Sequence, residues 1–112
     1  MKFNQLEDLI KNSTKILIMS HINPDGDALG STSSMYTIIY EKFKKKADIL
    51  VIGHLPNCYK FLPHIETAKF EFDISMVYDL VITLDVASLD RLANHQILFD
   101  KAKNTINIDH HK

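Results

Sequence analysis

Short apolar runs alternate with longer amphipathic segments along this chain of 112 residues. The first three runs are continuous and rich in Ile, Leu and Val, which is typical of a strand buried on both faces of a parallel sheet, whereas in the last run Ile106 and Ile108 alternate with Asn107. The runs occupy residues 15–20, 47–53, 78–84 and 104–108. Because parallel strands are joined by right-handed helical crossovers, we expect an α/β fold, with an open parallel β-sheet and helices on both faces.

The segments between these runs carry apolar residues at helical spacing. A first amphipathic helix ends before Asn12, and a long second helix is predicted over residues 28–46, with Asp27 at the N-cap position. Gly30, in the first turn of that helix, would allow another group to approach the backbone closely. The remaining predictions are a short aromatic helix at residues 57–62, a short strand at 69–72, and short helices at 88–93 and 95–102.

The loop after the first predicted strand concentrates potential metal ligands. HINPDGDALGS spans residues 21–31 and places His21, Asp25 and Asp27 between a strand and a helix. Such a mixed set of imidazole and carboxylate ligands suits hard and borderline divalent cations. The simpler alternative is a turn in which the two aspartates only cap backbone amides.

Two further predicted strands end on residues of the same kind. Asp85 directly follows the third strand, where a buried carboxylate must be paired or bound to metal unless it caps the next turn. Asp109, His110 and His111 follow the last strand, and we expect only one histidine to bind a given metal while the other faces substrate. Functional groups of parallel sheets gather beyond the carboxyl ends of the strands, so the three segments are predicted to meet.

Composition limits the remaining classes of function. The formal net charge is −1, and the basic run at residues 42–46 is expected to be the solvated end of a helix, which argues against a large nucleic-acid surface. The single cysteine, Cys58, fits a reducing compartment and is interpreted as a packing residue. Because the sequence contains neither a signal peptide nor an apolar stretch of about 20 residues, we expect a cytoplasmic protein without membrane contact.

The three ligand-bearing segments together resemble a known family. HINPDGDALGS, LDVASLDR at residues 84–91 and NIDHH at residues 107–111 are similar to the first three motifs of the DHH family of phosphoesterases. LPNCYKFLP at residues 55–63 resembles a P-x-x-Y-x-F-L-P stretch of the oligoribonuclease and 3′-phosphoadenosine 5′-phosphate phosphatase group. The resemblance covers residues 15–111 and implies a Rossmann-like N-terminal DHH domain that hydrolyses short oligoribonucleotides or nucleotides.

The resemblance also implies two metal ions. His21, Asp25 and Asp85 would hold one manganese ion. Asp27, Asp85 and His110 would hold the second, so that Asp85 bridges the pair and has a catalytic role. Mg²⁺ is the alternative to Mn²⁺, because oxygen-rich ligand sets with some imidazole suit either ion.

Three more residues receive roles in catalysis or phosphate binding from the resemblance. His111 would contact the substrate phosphate, and Asp109 would support the histidine pair. Arg91 matches an arginine that follows the second motif and would clamp phosphate through its guanidinium group. An exposed helix arginine paired with Asp90 explains Arg91 equally well.

Members of the family continue after the third motif with a fourth-motif aspartate and a smaller C-terminal substrate-binding domain. Residues 1–112 contain neither, so we expect a partial catalytic domain that binds Mn²⁺ but cleaves oligoribonucleotides poorly. The sequence leaves the oligomeric state open, although an uncovered sheet edge would favour pairing into a homodimer.

Two other classes of protein fit part of the pattern. A phosphoacceptor receiver domain also has an acidic pair after its first strand and an aspartate ending its third, so Asp85 would be its phosphorylation site. That class gives no reason for His21 or for the pair of histidines at residues 110–111. A non-catalytic metal- or nucleotide-binding module would bind its ligand without hydrolysis.

Overall fold

The computed structural model describes residues 3–73, 75–84, 86, 92 and 94–108, which form a parallel sheet with flanking helices. The strands are β1 (Ile16–Ser20), β2 (Asp48–Leu50), β3 (Leu80–Leu84) and β4 (Asn104–Ile108), in the order β2-β1-β3-β4. The helices are α1 (Phe3–Lys11), α2 (Gly26–Phe43) and α3 (Gln96–Lys101), with single 3₁₀ turns at Asn57–Tyr59 and Ile65–Thr67. Every strand pair in this sheet is parallel, which confirms the predicted α/β architecture.

Helices cover both faces of the sheet because alternate side chains of each strand point to opposite faces. Ile16 and Ile18 of β1 pack into a cluster with side chains of α1 and α2. Leu17 and Met19 point the other way, into a second cluster that includes side chains of α3. All residues of β1 and β3 are buried, which explains why these strands are continuous apolar runs in the sequence.

The boundaries of α2 differ from the predicted ones at both ends. Asp25, not Asp27, is the N-cap, because its Oδ1 accepts a hydrogen bond from Ala28 N at 2.9 Å. Asp27 instead lies in the first turn, where its charge faces the positive end of the helix dipole. The helix ends early because Lys44 adopts a left-handed conformation (φ 57°) and its N–H donates to the Ile39 carbonyl.

The second strand is shorter than the predicted apolar run because its last peptide groups bind elsewhere. The Val51 N–H donates to the Lys69 carbonyl at 2.8 Å, and the Ile52 carbonyl accepts from the Asn23 N–H at 2.7 Å. The short strand predicted nearby is reduced to an isolated bridge between Leu50 and Lys69. These bonds bring the chain after β2 against the loop after β1.

Some smaller predictions are corrected. Cys58 is exposed, so it is not a packing residue. The aromatic helix predicted at residues 57–62 is a single 3₁₀ turn over Asn57–Tyr59, which ends at Lys60. The helix predicted at residues 88–93 falls on positions of which only Leu92 is described.

Among the described helices, none combines the length and the apolar character that crossing a membrane requires.

Candidate functional site

The candidate site lies where three strands end level with one another at the carboxyl edge of the sheet. The register aligns the last residues of β1, β3 and β4, which are Ser20, Leu84 and Ile108. His21 is the first residue beyond β1, while Asp85 and Asp109 come next in sequence after the other two strands. Because neighbouring strands lie about 4.8 Å apart, the three points at which the chain leaves the sheet span about 10 Å.

The topology also favours this edge as a binding site. From β1 the chain crosses through α2 to β2 on one side of the sheet, and then returns to β3 on the other side of β1. Doubly wound sheets bind ligands in the crevice at such a switch point, beyond the carboxyl ends of the strands. The crevice between β1 and β3 is therefore where a ligand site is expected.

The ring of His21 is held in a defined orientation. Its Nδ1 lies 2.9 Å from the Ile22 carbonyl oxygen, which can only accept a hydrogen bond. Nδ1 therefore carries the proton, and in the neutral ring Nε2 keeps a lone pair. Metal-binding histidines are usually held in this way, with the other ring nitrogen donating to a carbonyl or a carboxylate.

Asp25 faces that lone pair. His21 Nε2 lies 3.9 Å from Asp25 Oδ1, which is too long for a hydrogen bond, and the His21 side chain is 13% exposed against 62% for Asp25. In the tautomer protonated on Nδ1, Nε2 is therefore an unprotonated nitrogen near a carboxylate oxygen that also accepts from the Ala28 N–H. Imidazole nitrogen and carboxylate oxygen are both ligands of divalent cations. The predicted pairing of His21 with Asp25 is thus compatible with a metal site.

Asp27 lies on the side of α2 that faces the ends of β3 and β4. It lines a cleft of about 470 Å³ together with Leu84 and Ile108, the aligned ends of these two strands. Ser31 and Ser34 of α2 add polar groups to the same wall. The volume falls within the range of small-molecule sites, which is about 300–1,000 Å³.

The other predicted site residues lie outside the described part of the chain. These are Asp85, Arg91, Asp109, His110 and His111. Among the residues that are described, no group of three or more His, Cys, Asp or Glu side chains is arranged to hold a metal ion. The predicted ligand sets both include undescribed residues, so they stay predictions.

A polar pair on β3 and β4 supports the neighbours of Asp85, and sequence reasoning missed it. Asn107 Nδ2 donates to the Val86 carbonyl at 2.9 Å, while its Oδ1 accepts from Thr83 Oγ1 at 2.9 Å. Thr83, Leu84 and Val86 are all buried. Asn107 thus holds the Val86 backbone and the Thr83 side chain, and its signal in the sequence is an amide alternating with apolar residues in a strand.

A described residue closely approaches the backbone at Gly26, whereas none does so at Gly30. A Cβ added at Gly26 would lie 2.9 Å from the Tyr59 hydroxyl, whereas at Gly30 no described atom would lie within 4 Å. Tyr59 belongs to the LPNCYKFLP stretch, so this stretch rests against the glycine between Asp25 and Asp27. The described residues place a close approach one turn earlier in the helix, at Gly26, and the prediction for Gly30 stays a prediction.

The sequence and the fold both have known relatives. A model of the DHH family, N-terminal domain, matches residues 15–112. The chain is 32% identical over 105 residues to the bifunctional oligoribonuclease and PAP phosphatase NrnA of Mycoplasma genitalium. It is 27% identical over 104 residues to the protein of the same name from Mycoplasma pneumoniae. Each alignment covers 91% of this chain but 32% of the relative, so the chain spans about a third of their length.

A solved structure shares the fold. The crystal structure of an exopolyphosphatase-related protein from Bacteroides fragilis superposes on this chain with a TM-score of 0.83 at 26% sequence identity. The superposition covers 96% of this chain and 34% of that chain. The family match extends over nearly the whole chain and contains all three motif segments, and it shows that this chain belongs to the DHH family, N-terminal domain.

Proposed function

We propose that this chain is a metal-dependent phosphoesterase domain that hydrolyses phosphodiester or phosphomonoester bonds of short oligoribonucleotides or nucleotides. One observation carries the proposal: three strand ends lie level with one another beside a cleft of about 470 Å³, and each lies in or directly before a segment that resembles a DHH-family motif. The membership of the family favours this function over a receiver domain, which gives no reason for His21.

The donor set fits a pair of Mn²⁺ ions, with Mg²⁺ as the alternative. His21, Asp25 and Asp85 would hold one ion, and Asp27, Asp85 and His110 the other. Asp27 lines the cleft, and Asp25, which lies near His21, caps the same end of α2, so members of both ligand sets lie at or beside the N-terminus of this helix. When bound, such a pair of ions activates water and neutralises the charge that accumulates on a phosphoryl group.

The protein's own side chains would bind and orient the substrate. His111 would contact the phosphate, Arg91 would pair with it through two hydrogen bonds, and Asp109 would orient the histidines. Ser31 and Ser34 offer hydroxyl donors along the cleft. A short substrate fits a cleft of this size and a chain with a net charge of −1, because a long nucleic acid would require an extended basic surface.

Two relatives are named as oligoribonucleases and PAP phosphatases, which supports short oligoribonucleotides or 3′-phosphoadenosine 5′-phosphate as the substrate class. The test is hydrolysis of a labelled diribonucleotide and of 3′-phosphoadenosine 5′-phosphate by the purified protein, with Mn²⁺ and with a chelator. We expect slow, Mn²⁺-dependent product release that Asp85→Asn abolishes. Equal release by wild type and Asp85→Asn would contradict the proposal.

The same protein preparation distinguishes the rival functions. Acetyl phosphate labelling of Asp85 without Mn²⁺ binding would indicate a receiver domain. Saturable binding of Mn²⁺ or nucleotide without turnover would indicate a non-catalytic module. The cytoplasmic location belongs to the proposal too, and it is supported by one exposed, unpaired thiol at Cys58, which suits a reducing compartment.

A further inference from the structure

The peptide group between Ile22 and Asn23 is bound on both sides. Its N–H donates to the Ile52 carbonyl at 2.7 Å, and its carbonyl oxygen lies 2.9 Å from His21 Nδ1. Because a peptide group is planar, fixing the direction of the N–H also fixes the direction of the carbonyl. The chain after β2 therefore orients the acceptor that in turn orients the ring of His21.

A second contact holds the same peptide group in place. Asn23 has a left-handed backbone (φ 51°), which asparagine tolerates better than most residues. Its Oδ1 accepts a hydrogen bond from the His54 N–H at 3.0 Å. Gly53 also has a positive φ of 89°, and a Cβ there would overlap the Asn23 side-chain oxygen. Only a glycine at position 53 leaves room for this contact.

We propose that Asn23 is a positioning residue for His21: by binding the chain after β2 it keeps His21 in the tautomer protonated on Nδ1, with Nε2 free for a metal ion. The inference rests on the proposed function, because that function makes His21 a ligand. It adds a residue that would act on the metal site through the chain after β2, where its side chain accepts from the His54 N–H. Outer hydrogen bonds of this kind fix both the tautomer and the ring orientation of a ligating histidine.

Three substitutions separate the parts of this contact. Asn23→Gly keeps a left-handed backbone accessible but removes the side-chain acceptor. Asn23→Asp keeps the left-handed backbone accessible and also keeps a side-chain acceptor. Gly53→Ala adds a Cβ that pushes the Asn23 side chain away from the His54 N–H. It serves as the second test if Asn23→Gly does not fold. Asn12→Gly is the matched control, because it makes the same chemical change at an exposed turn after α1.

Two readouts are measured: Mn²⁺ affinity by calorimetry, and the tautomer of His21 in the metal-free protein from its ring ¹⁵N chemical shifts. We expect Asn23→Gly and Gly53→Ala to weaken Mn²⁺ binding about 10-fold and to shift His21 toward a mixture of tautomers. Asn23→Asp should bind at least as tightly as wild type, and Asn12→Gly should match wild type in both readouts.

The contradicting outcomes are distinct. If wild type binds Mn²⁺ and Asn23→Gly matches it in affinity and in tautomer, the role of Asn23 is wrong while the metal site stands. If wild type does not bind Mn²⁺ at all, the proposed metal site and this inference fall together. Thermal unfolding of each metal-free variant separates a loss of affinity from a loss of folded protein.

Discussion

Gly26 and Gly30 lie on successive turns of α2, and a methyl group would meet different surroundings at each. Gly26→Ala would press on the Tyr59 ring, so we expect it to lower the free energy of unfolding by about 1–3 kcal/mol, as overpacking does. Gly30→Ala meets no described atom within 4 Å and should raise that free energy by about 0.5–1 kcal/mol. Urea unfolding followed by circular dichroism measures both, and equal effects would contradict the contact with Tyr59.

Asn107 is a second residue whose effect can be measured directly. Asn107→Leu removes the donor to the Val86 carbonyl and the acceptor for Thr83 Oγ1, and Thr83 is buried. We expect the free energy of unfolding to fall by about 1–2 kcal/mol. Asn104→Leu, at an exposed position of the same strand, is the control and should change it little. If the two variants are equally stable, Asn107 does not support the segment after β3.

Residues that act through distant partners are the ones that the sequence could not identify. His21, Asp25 and Asp27 lie within one short motif, so residue type and spacing alone pointed to them. Asn23 and Asn107 act through partners 31 and 21 positions away, and their local sequence does not show which groups they bind. The N-cap was assigned to Asp27 and not to Asp25 because both fit the pattern and only the backbone geometry decides.

At the level of elements, the type of each long segment was predictable but its ends were not. Continuous apolar runs of β-branched residues and leucine indicate buried parallel strands, and β1 and β3 form where these runs occur, while β4 forms where Ile106 and Ile108 alternate with polar residues. The run around β2 is equally apolar, yet the strand stops at Leu50 because Val51 and Ile52 bind Lys69 and Asn23. Tertiary hydrogen bonds of this kind cannot be derived from periodicity.

The basic run at the end of α2 was predicted to be solvated, but one of its lysines also binds another helix. Lys45 Nζ donates to the carbonyls of Ile10, Lys11 and Ser13 at 2.6–2.8 Å, and so caps the carboxyl end of α1. Lys45→Met should lower the free energy of unfolding by about 1.5–3 kcal/mol, the range for hydrogen bonds to a charged group. Lys46→Met removes the same charge from an exposed side chain and is the control. Equal losses would show that charge alone matters.

For the whole molecule, one histidine links stability to pH. His95 packs against Phe72, with 4.6 Å between the ring centroids, and its buried Nδ1 has no hydrogen-bond partner among the described residues. Burial lowers the pKa of His95, against the opposing effect of a hydrogen bond with the Leu92 backbone. The unfolded chain therefore binds this proton more readily, so the free energy of unfolding should decrease as pH falls below about 6.5.

His95→Phe keeps an aromatic ring and removes the titration. We expect its free energy of unfolding to be flatter than that of wild type from about pH 6.5 downward. Asp79 acts in a different window: its pKa is lowered by hydrogen bonds from the Lys15 and Thr14 backbone, so the stability it contributes is lost only near and below about pH 4. Parallel pH profiles for wild type and His95→Phe above pH 5 would contradict the role of His95.

The assembly state stays a prediction. No described strand pairs with the outer edge of β4, and an uncovered edge can pair with a second copy. Sedimentation velocity over a range of protein concentrations measures whether a homodimer forms.

Shared ligation by Asp85 is the central claim, and Mn²⁺ titration of wild type, Asp85→Asn and His111→Ala by calorimetry tests it most directly. If Asp85 bridges two ions, Asp85→Asn should weaken both binding events together. His111→Ala should leave both nearly intact, because His111 is assigned to the substrate phosphate. Equal loss of Mn²⁺ binding in the two variants, or full binding by Asp85→Asn, would contradict the two-ion site.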